Sequence, residues 1–159
     1  MKNLLIVDMQ KGFINKNNEF LVSRINNLLK TEKYDNVLYT KFCNNKKSLY
    51  ASLLNWTGMI KSSERDFAVN ILPNSLIFVK QGYGLKNSQI KKIKKLNITS
   101  IDICGTDVDA CVLAIMFQLF DNNIKPVVLK DYVASSTSQT LEDSAFKIII
   151  NQFGKDCVK

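Results

Sequence analysis

Asp8, Lys80 and Cys111 are three side chains in this sequence whose types, taken together, can make a nucleophile. Asp8 ends the apolar run "NLLIVD", Lys80 ends "SLIFVK", and Cys111 lies just beyond "ITSIDICGTDVDA". A free thiol is mostly protonated at neutral pH, with a pKa of about 8.5. A helix N-terminus and a neighbouring lysine both lower that value and favour the thiolate. An aspartate within reach accepts the thiol proton and later returns it to a leaving group, work that histidine does elsewhere. The lysine holds acid and thiolate together despite their like charge. Backbone N–H groups in the tight Gly105–Cys111 bend face a developing oxyanion. The chemistry such groups can support is attack by an activated thiol. By position alone, Cys111 reads equally well as a buried structural cysteine, since free cysteines are often core residues.

The chain contains no histidine. That removes the commonest metal ligand, the usual general base, and every Ser-His-Asp or Cys-His arrangement. Neither a metal nor a cofactor is expected. Cys43, Cys104, Cys111 and Cys157 form no C-x-x-C pair and no zinc-finger spacing. Cys104 reads as core and Cys43 as structural. Asp107 and Asp109 lack the further partners a metal site needs. Phe13, Trp56 and Tyr83 fall outside clean helical stripes, so each is read as core or subunit contact on one side and pocket wall on the other.

What must position these groups is an alternation of strands and helices. Strands are expected at "NLLIVDM", "NVLYTKF", "SLIFVK", "ITSIDIC" and "KPVVLKD". Helical spacing runs through "FLVSRINNLLK", with Leu21, Ile25, Leu28 and Leu29 on one face. It returns around Ile90, Ile93 and Leu96, then in "DACVLAIMFQLFDN" and in "SQTLEDSAFKIIINQF". Residues Ser48 to Ala68 are mixed, helical through Leu54 and irregular around Gly58. This pattern predicts an α/β fold, a three-layer α/β/α Rossmann-like architecture around a mainly parallel sheet. In such sheets ligands sit beyond the carboxyl ends of the strands. Asp8, Lys80 and Cys111 all fall at or beyond such ends.

With 159 residues, the chain is expected to form one domain over residues 1–159. A hydrophobic share of 46% with 23% charged residues is that of a globular protein rather than a disordered one. No apolar run reaches the roughly 18 residues of a membrane span, and the opening run is too short for a signal peptide. A cytoplasmic protein without membrane partners is expected. The net charge of +8 raises the question of nucleic acid. Its basic residues are nearly all lysine, whereas bidentate phosphate and base recognition favours arginine. The densest run, "SQIKKIKKLN", reads as the solvated face of an amphipathic helix. No nucleic-acid partner is expected.

Three motifs in this order resemble the isochorismatase-like hydrolase superfamily, in its cysteine hydrolase branch. They are "LLIVDMQKGF", "FVKQGYG" and "CGTDVDACV", and "PVVLKDYVASS" and "NQFG" also fit. The resemblance covers essentially the whole chain. It implies a six-stranded sheet, with a short last strand near Asp156 to Val158. It implies Asp8 as catalytic acid, Lys80 as catalytic lysine and Cys111 as nucleophile, with Gln10, Phe13 and Tyr83 as substrate-binding candidates; Trp56, in "LLNWTGMI", is a further candidate that could cover the pocket or pack against a partner chain. It also implies a cis peptide between Thr106 and Asp107, which turns the Asp107 N–H toward the same point as the Cys111 N–H and forms an oxyanion hole. Departures fall on the pocket wall: Val108 replaces a frequent threonine, and Gly84, Leu85 and Lys86 replace a small-small-aromatic run. "YTKFCNN" lacks the Asp-x-His metal pair of nicotinamidases.

The expected function is a metal-independent cysteine hydrolase that cleaves a C–N bond of a small amide, ureido or carbamoyl compound through a thioester. Alternatives are a non-catalytic small-molecule-binding protein on the same scaffold and an isochorismatase-type hydrolase. The second of these is disfavoured by Cys111, which true isochorismatases lack. A small-molecule substrate and a homodimer or larger homo-oligomer are the expected partners, with the apolar "LLNWTGMI" stretch as a candidate contact.

Overall fold

The structure, a computed structural model, describes residues Met1 to Lys159. Five strands form one parallel sheet: β1 Asn3–Val7, β2 Asn36–Phe42, β3 Leu76–Lys80, β4 Ser100–Thr106 and β5 Lys125–Ala134. Their order is β3-β2-β1-β4-β5, with every neighbouring pair parallel. The expected sixth strand is reduced to one parallel bridge between Val128 and Val158. The backbone there runs as a short 3-10 turn, Lys155–Cys157, so too few residues remain extended to build a ladder.

The helices are α1 Phe20–Thr31, α2 Leu49–Leu54, α3 Asn87–Lys95, α4 Leu113–Asp121 and α5 Gln139–Phe153. Side chains alternate across a strand, so β1 feeds two cores. Leu4 and Ile6 pack with Leu21, Ile25 and Leu28 of α1 on one face. Leu5 and Val7 pack with Ile90, Ile93, Ile115, Met116 and Ile149 of α3, α4 and α5 on the other. All five residues of β1 are buried, as a strand covered on both faces requires. On α3, Ile90 and Ile93 point inward while Lys91, Lys92, Lys94 and Lys95 are exposed. The lysine run is a solvated helix face, and the three lysines in its last turn complement the helix dipole. No helix is long and apolar enough to cross a membrane.

Two local features aim the chain at the site. Gly105, in β4, has φ +116, and a Cβ there would lie 2.1 Å from the Val7 carbonyl oxygen. Only glycine lets β4 approach β1 this closely. The segment after β4 does not enter an α-helix directly. Residues Val108–Val112 form a π-turn, with the Val112 N–H donating to the Asp107 carbonyl at 3.0 Å, and α4 begins only at Leu113. The sequence pattern runs helix through this segment; the wider turn is common at functional sites.

Candidate active site

The crossovers reverse direction between β1 and β4, so the crevice of an open parallel sheet lies beyond those two carboxyl ends. Asp8 follows β1 there, in a left-handed conformation with φ 49 that short polar residues tolerate best. Lys80 is the last residue of β3, and Cys111 sits on the π-turn beyond β4. The fold brings all three together. Lys80 Nζ lies 2.7 Å from Asp8 Oδ2 and 3.2 Å from Cys111 Sγ. It also donates to the carbonyls of Gly82 and Tyr83, at 2.9 and 3.1 Å. Asp8 and Lys80 are fully buried.

The electrostatics correct one expectation. Helix terminus and lysine were expected to depress the Cys111 thiol. Burial and then the negative charge of Asp8 push it up instead, and the Lys80 ammonium opposes them without winning. The physical reason is charge balance: Asp8 and Lys80 already neutralise each other, and a thiolate would leave a net anion in a buried site. Burial pulls Lys80 down, but the charges of Asp8 and Cys111 and its bonds to both leave it above its ordinary value.

Asp8 is held by a residue that the sequence pattern left unmarked. Thr40, on β2, donates its hydroxyl to Asp8 Oδ1 at 2.6 Å and accepts the Asp8 N–H at 3.0 Å. Gln10 corrects another expectation. It was read as substrate-binding, but its amide donates to the carbonyls of Phe42 and Arg65 and accepts the Phe42 N–H. Its side chain ties the ends of β1 and β2 together and does not line the cavity.

Cys111 opens onto a cavity of about 180 Å³. Phe13, Trp56 and Tyr83 line it, and Phe42 and Tyr50 join them. Phe13 and Trp56 stack at 5.9 Å, and Tyr50 meets Phe42 and Tyr83 edge-on at 5.2 and 5.1 Å. Phe42 closes a strand and Tyr50 sits on α2, a helix capped by Ser48, so neither carries a local sign of pocket duty. Trp56 walls its own chain's cavity. Tyr50's hydroxyl is held protonated by burial and by the nearby Cys111, Tyr83 and Asp8.

The Thr106–Asp107 peptide is cis, as the motif resemblance implied. The Asp107 N–H has no acceptor within the protein. Its carboxylate accepts from the Thr106 hydroxyl, the Ser136 N–H and the Ser136 hydroxyl, at 2.5, 2.6 and 2.9 Å. Burial still raises it above the usual carboxylate range. Asn18 adds a bond to Thr106 Oγ1 at 3.2 Å. The loop bearing Asp107 is therefore fixed from both sides.

An open parallel sheet with a buried thiol, acid and lysine gathered beyond its strand ends defines an α/β protein with a preformed crevice. Over residues 2–156 the chain matches the isochorismatase domain model, and it belongs to that family. The resemblance read from the three motifs is borne out. Many solved structures share the fold. The pyrazinamidase/nicotinamidase of Streptococcus mutans is 16% identical with a TM-score of 0.86, covering 100% of both chains. An isochorismatase-like hydrolase from Alkaliphilus metalliredigens is 15% identical with a TM-score of 0.84, covering 99% of this chain and 94% of that one. The pyrazinamidase of Pyrococcus horikoshii, in complex with zinc, is 14% identical with a TM-score of 0.81, covering 99% and 97%. No curated protein matches the chain.

The residues here do not fit a zinc ion. The chain has no histidine, and no three His, Cys, Asp or Glu side chains are grouped to share a metal. Beyond β2, Asn44 spends its amide on the carbonyls of Trp56 and Gly58 and its oxygen on Asn45 and Ser48.

Proposed function

We propose that this protein is a metal-independent cysteine amidase that hydrolyses a C–N bond of a small amide, ureido or carbamoyl compound. The observation that carries the reading is the buried Asp8–Lys80–Cys111 cluster facing an aromatic cavity, with Lys80 Nζ 3.2 Å from the thiol sulfur. Asp8 takes the Cys111 proton as Sγ attacks the substrate carbonyl. Lys80 offsets the negative charge gathered on sulfur and acid. The N–H groups of Asp107 and Cys111 hold the tetrahedral oxyanion. Collapse breaks the C–N bond, with Asp8 returning the proton to the leaving nitrogen. The acyl group stays on sulfur as a thioester. Asp8 then removes a proton from water, which attacks the thioester and releases the acid and the free thiol. Fold similarity to proteins described as nicotinamidases and pyrazinamidases supports amides as the substrate class. The donor set described above supports a route that needs no metal.

The test is ammonia or amine release from a panel of small amides by wild type and by Cys111→Ala, with intact mass spectrometry for an acyl adduct on Cys111. Activity retained by Cys111→Ala would sink the mechanism. The same reading includes a homodimer or larger assembly. Its support is α2, whose Leu49, Leu53 and Leu54 are 69%, 71% and 60% exposed beside the cavity.

A further inference from the structure

Five aromatic rings wall the cavity above Cys111: Phe13, Phe42, Tyr50, Trp56 and Tyr83. The faces of such rings carry partial negative charge and attract cations. Asp109 lines the same cavity and also the more open groove beside it, of about 360 Å³. Its Oδ1 is buried and has no hydrogen-bond partner. Asp109 lies just ahead of α4, where an acid is often placed only to serve the helix terminus. A carboxylate with that duty accepts a backbone N–H of the first turn. Asp109 accepts none. A carboxylate with no partner of its own beside the cavity leaves negative charge there that a bound cation can offset.

Charge points the same way. The chain carries 22 lysines and arginines, yet none lines either the cavity or the groove. Lys80 lies beneath the cavity, with its charge matched by Asp8. The Asp107 carboxylate is already taken by Thr106 and Ser136. Asp109 lines both spaces and has neither an ion-pair nor a hydrogen-bond partner.

We infer that the substrate carries, besides its scissile amide, a cationic nitrogen that the aromatic walls and Asp109 hold. Substrates with a carboxylate besides the amide are disfavoured by the same groups. This rests on the amidase reading above and names the substrate class within it. Asp109 is then a specificity residue at the junction of cavity and groove. The amide sits at Cys111, and the cation lies toward the groove.

The chain has one tryptophan, Trp56, in the cavity wall, so its fluorescence reports occupancy directly. Three probes of like shape decide the matter: meta-(aminomethyl)benzamide, meta-ethylbenzamide and meta-carboxybenzamide. They are titrated into the full-length protein with the Cys111→Ser substitution to read binding, and into wild type to read ammonia release. The cationic probe is expected to bind about tenfold or more tightly than the neutral one, and the anionic probe weakest. Asp109→Asn keeps the shape and is expected to cut the cation preference about threefold or more. Equal binding of the cationic and neutral probes, preference for the anion, or no quenching by the cationic probe at millimolar concentration overturns the inference. An undiminished preference in Asp109→Asn removes Asp109 from the assignment and overturns it as well. Cation preference without ammonia release leaves the recognition standing and overturns the amidase reading. Release from all three probes at equal affinity does the reverse.

Discussion

Lys80 touches four partners at once, and two of them, Asp8 and Cys111, are the groups whose charges it must balance. The Cys111 thiol is raised by burial and Asp8 and lowered by Lys80. Wild-type protein is therefore expected to react slowly with iodoacetamide at neutral pH, with the rate climbing as pH passes above the ordinary thiol range. Asp8→Asn removes one of the raising charges and leaves Lys80. Its thiol should alkylate faster than wild type at pH 7–8, while kcat falls by roughly 10²–10⁴ for want of the base. Faster labelling in wild type than in Asp8→Asn, followed by mass spectrometry across a pH series, would contradict this account. Removing the other partner acts on stability. Lys80→Met strands a buried carboxylate and should cost about 3–5 kcal/mol in urea unfolding. In the double variant with Asp8→Asn the cost should be clearly less than the sum of the two single effects.

At the scale of elements, the site depends on how closely β4 can run beside β1. Gly105 combines a positive φ with a backbone contact that no side chain survives. Gly105→Ala should destabilise the protein by about 2–5 kcal/mol, because strained backbone and displaced strand add together. The same shift should move the Asp107 and Cys111 turn away from Asp8 and lower turnover in whatever fraction stays folded. Guanidinium unfolding together with amide turnover measures both. A stability change below about 0.5 kcal/mol would show that β4 has slack the geometry denies. The π-turn works alongside this glycine, since it sets Cys111 on a wider coil before α4 begins.

The whole molecule presents an apolar ridge on α2, three leucines long, next to the mouth of its own cavity. Patches of this kind mark interfaces, and the expected state in light scattering at micromolar concentration is a homodimer or larger. Leu49→Lys together with Leu53→Lys should shift that distribution toward monomer; a wild type that is already strictly monomeric contradicts the assembly. Because the chain lacks histidine and gathers no ligand set, turnover should also persist after prolonged dialysis against chelator. Loss of activity that zinc or iron restores would overturn the metal-free route.

The amino-acid sequence by itself determined the alternation of strands and helices, because periodicity of two against periodicity of 3.6 is a local signal. It also placed Asp8, Lys80 and Cys111 at or beyond strand ends, and a parallel sheet brings such ends to one edge whatever the details. The lysine face of α3 was legible for the same reason. Other properties arise between elements distant in the chain. Thr40 holds Asp8 from a neighbouring strand, Gln10 is consumed by β2, and Tyr50 and Phe42 reach the cavity from segments with no motif. The short sixth strand failed because a 3-10 turn took its residues. The direction of the Cys111 thiol was decided last of all. A helix terminus and a lysine argue downward in sequence, but only the folded protein shows Lys80 already paired with Asp8 and the thiol largely buried.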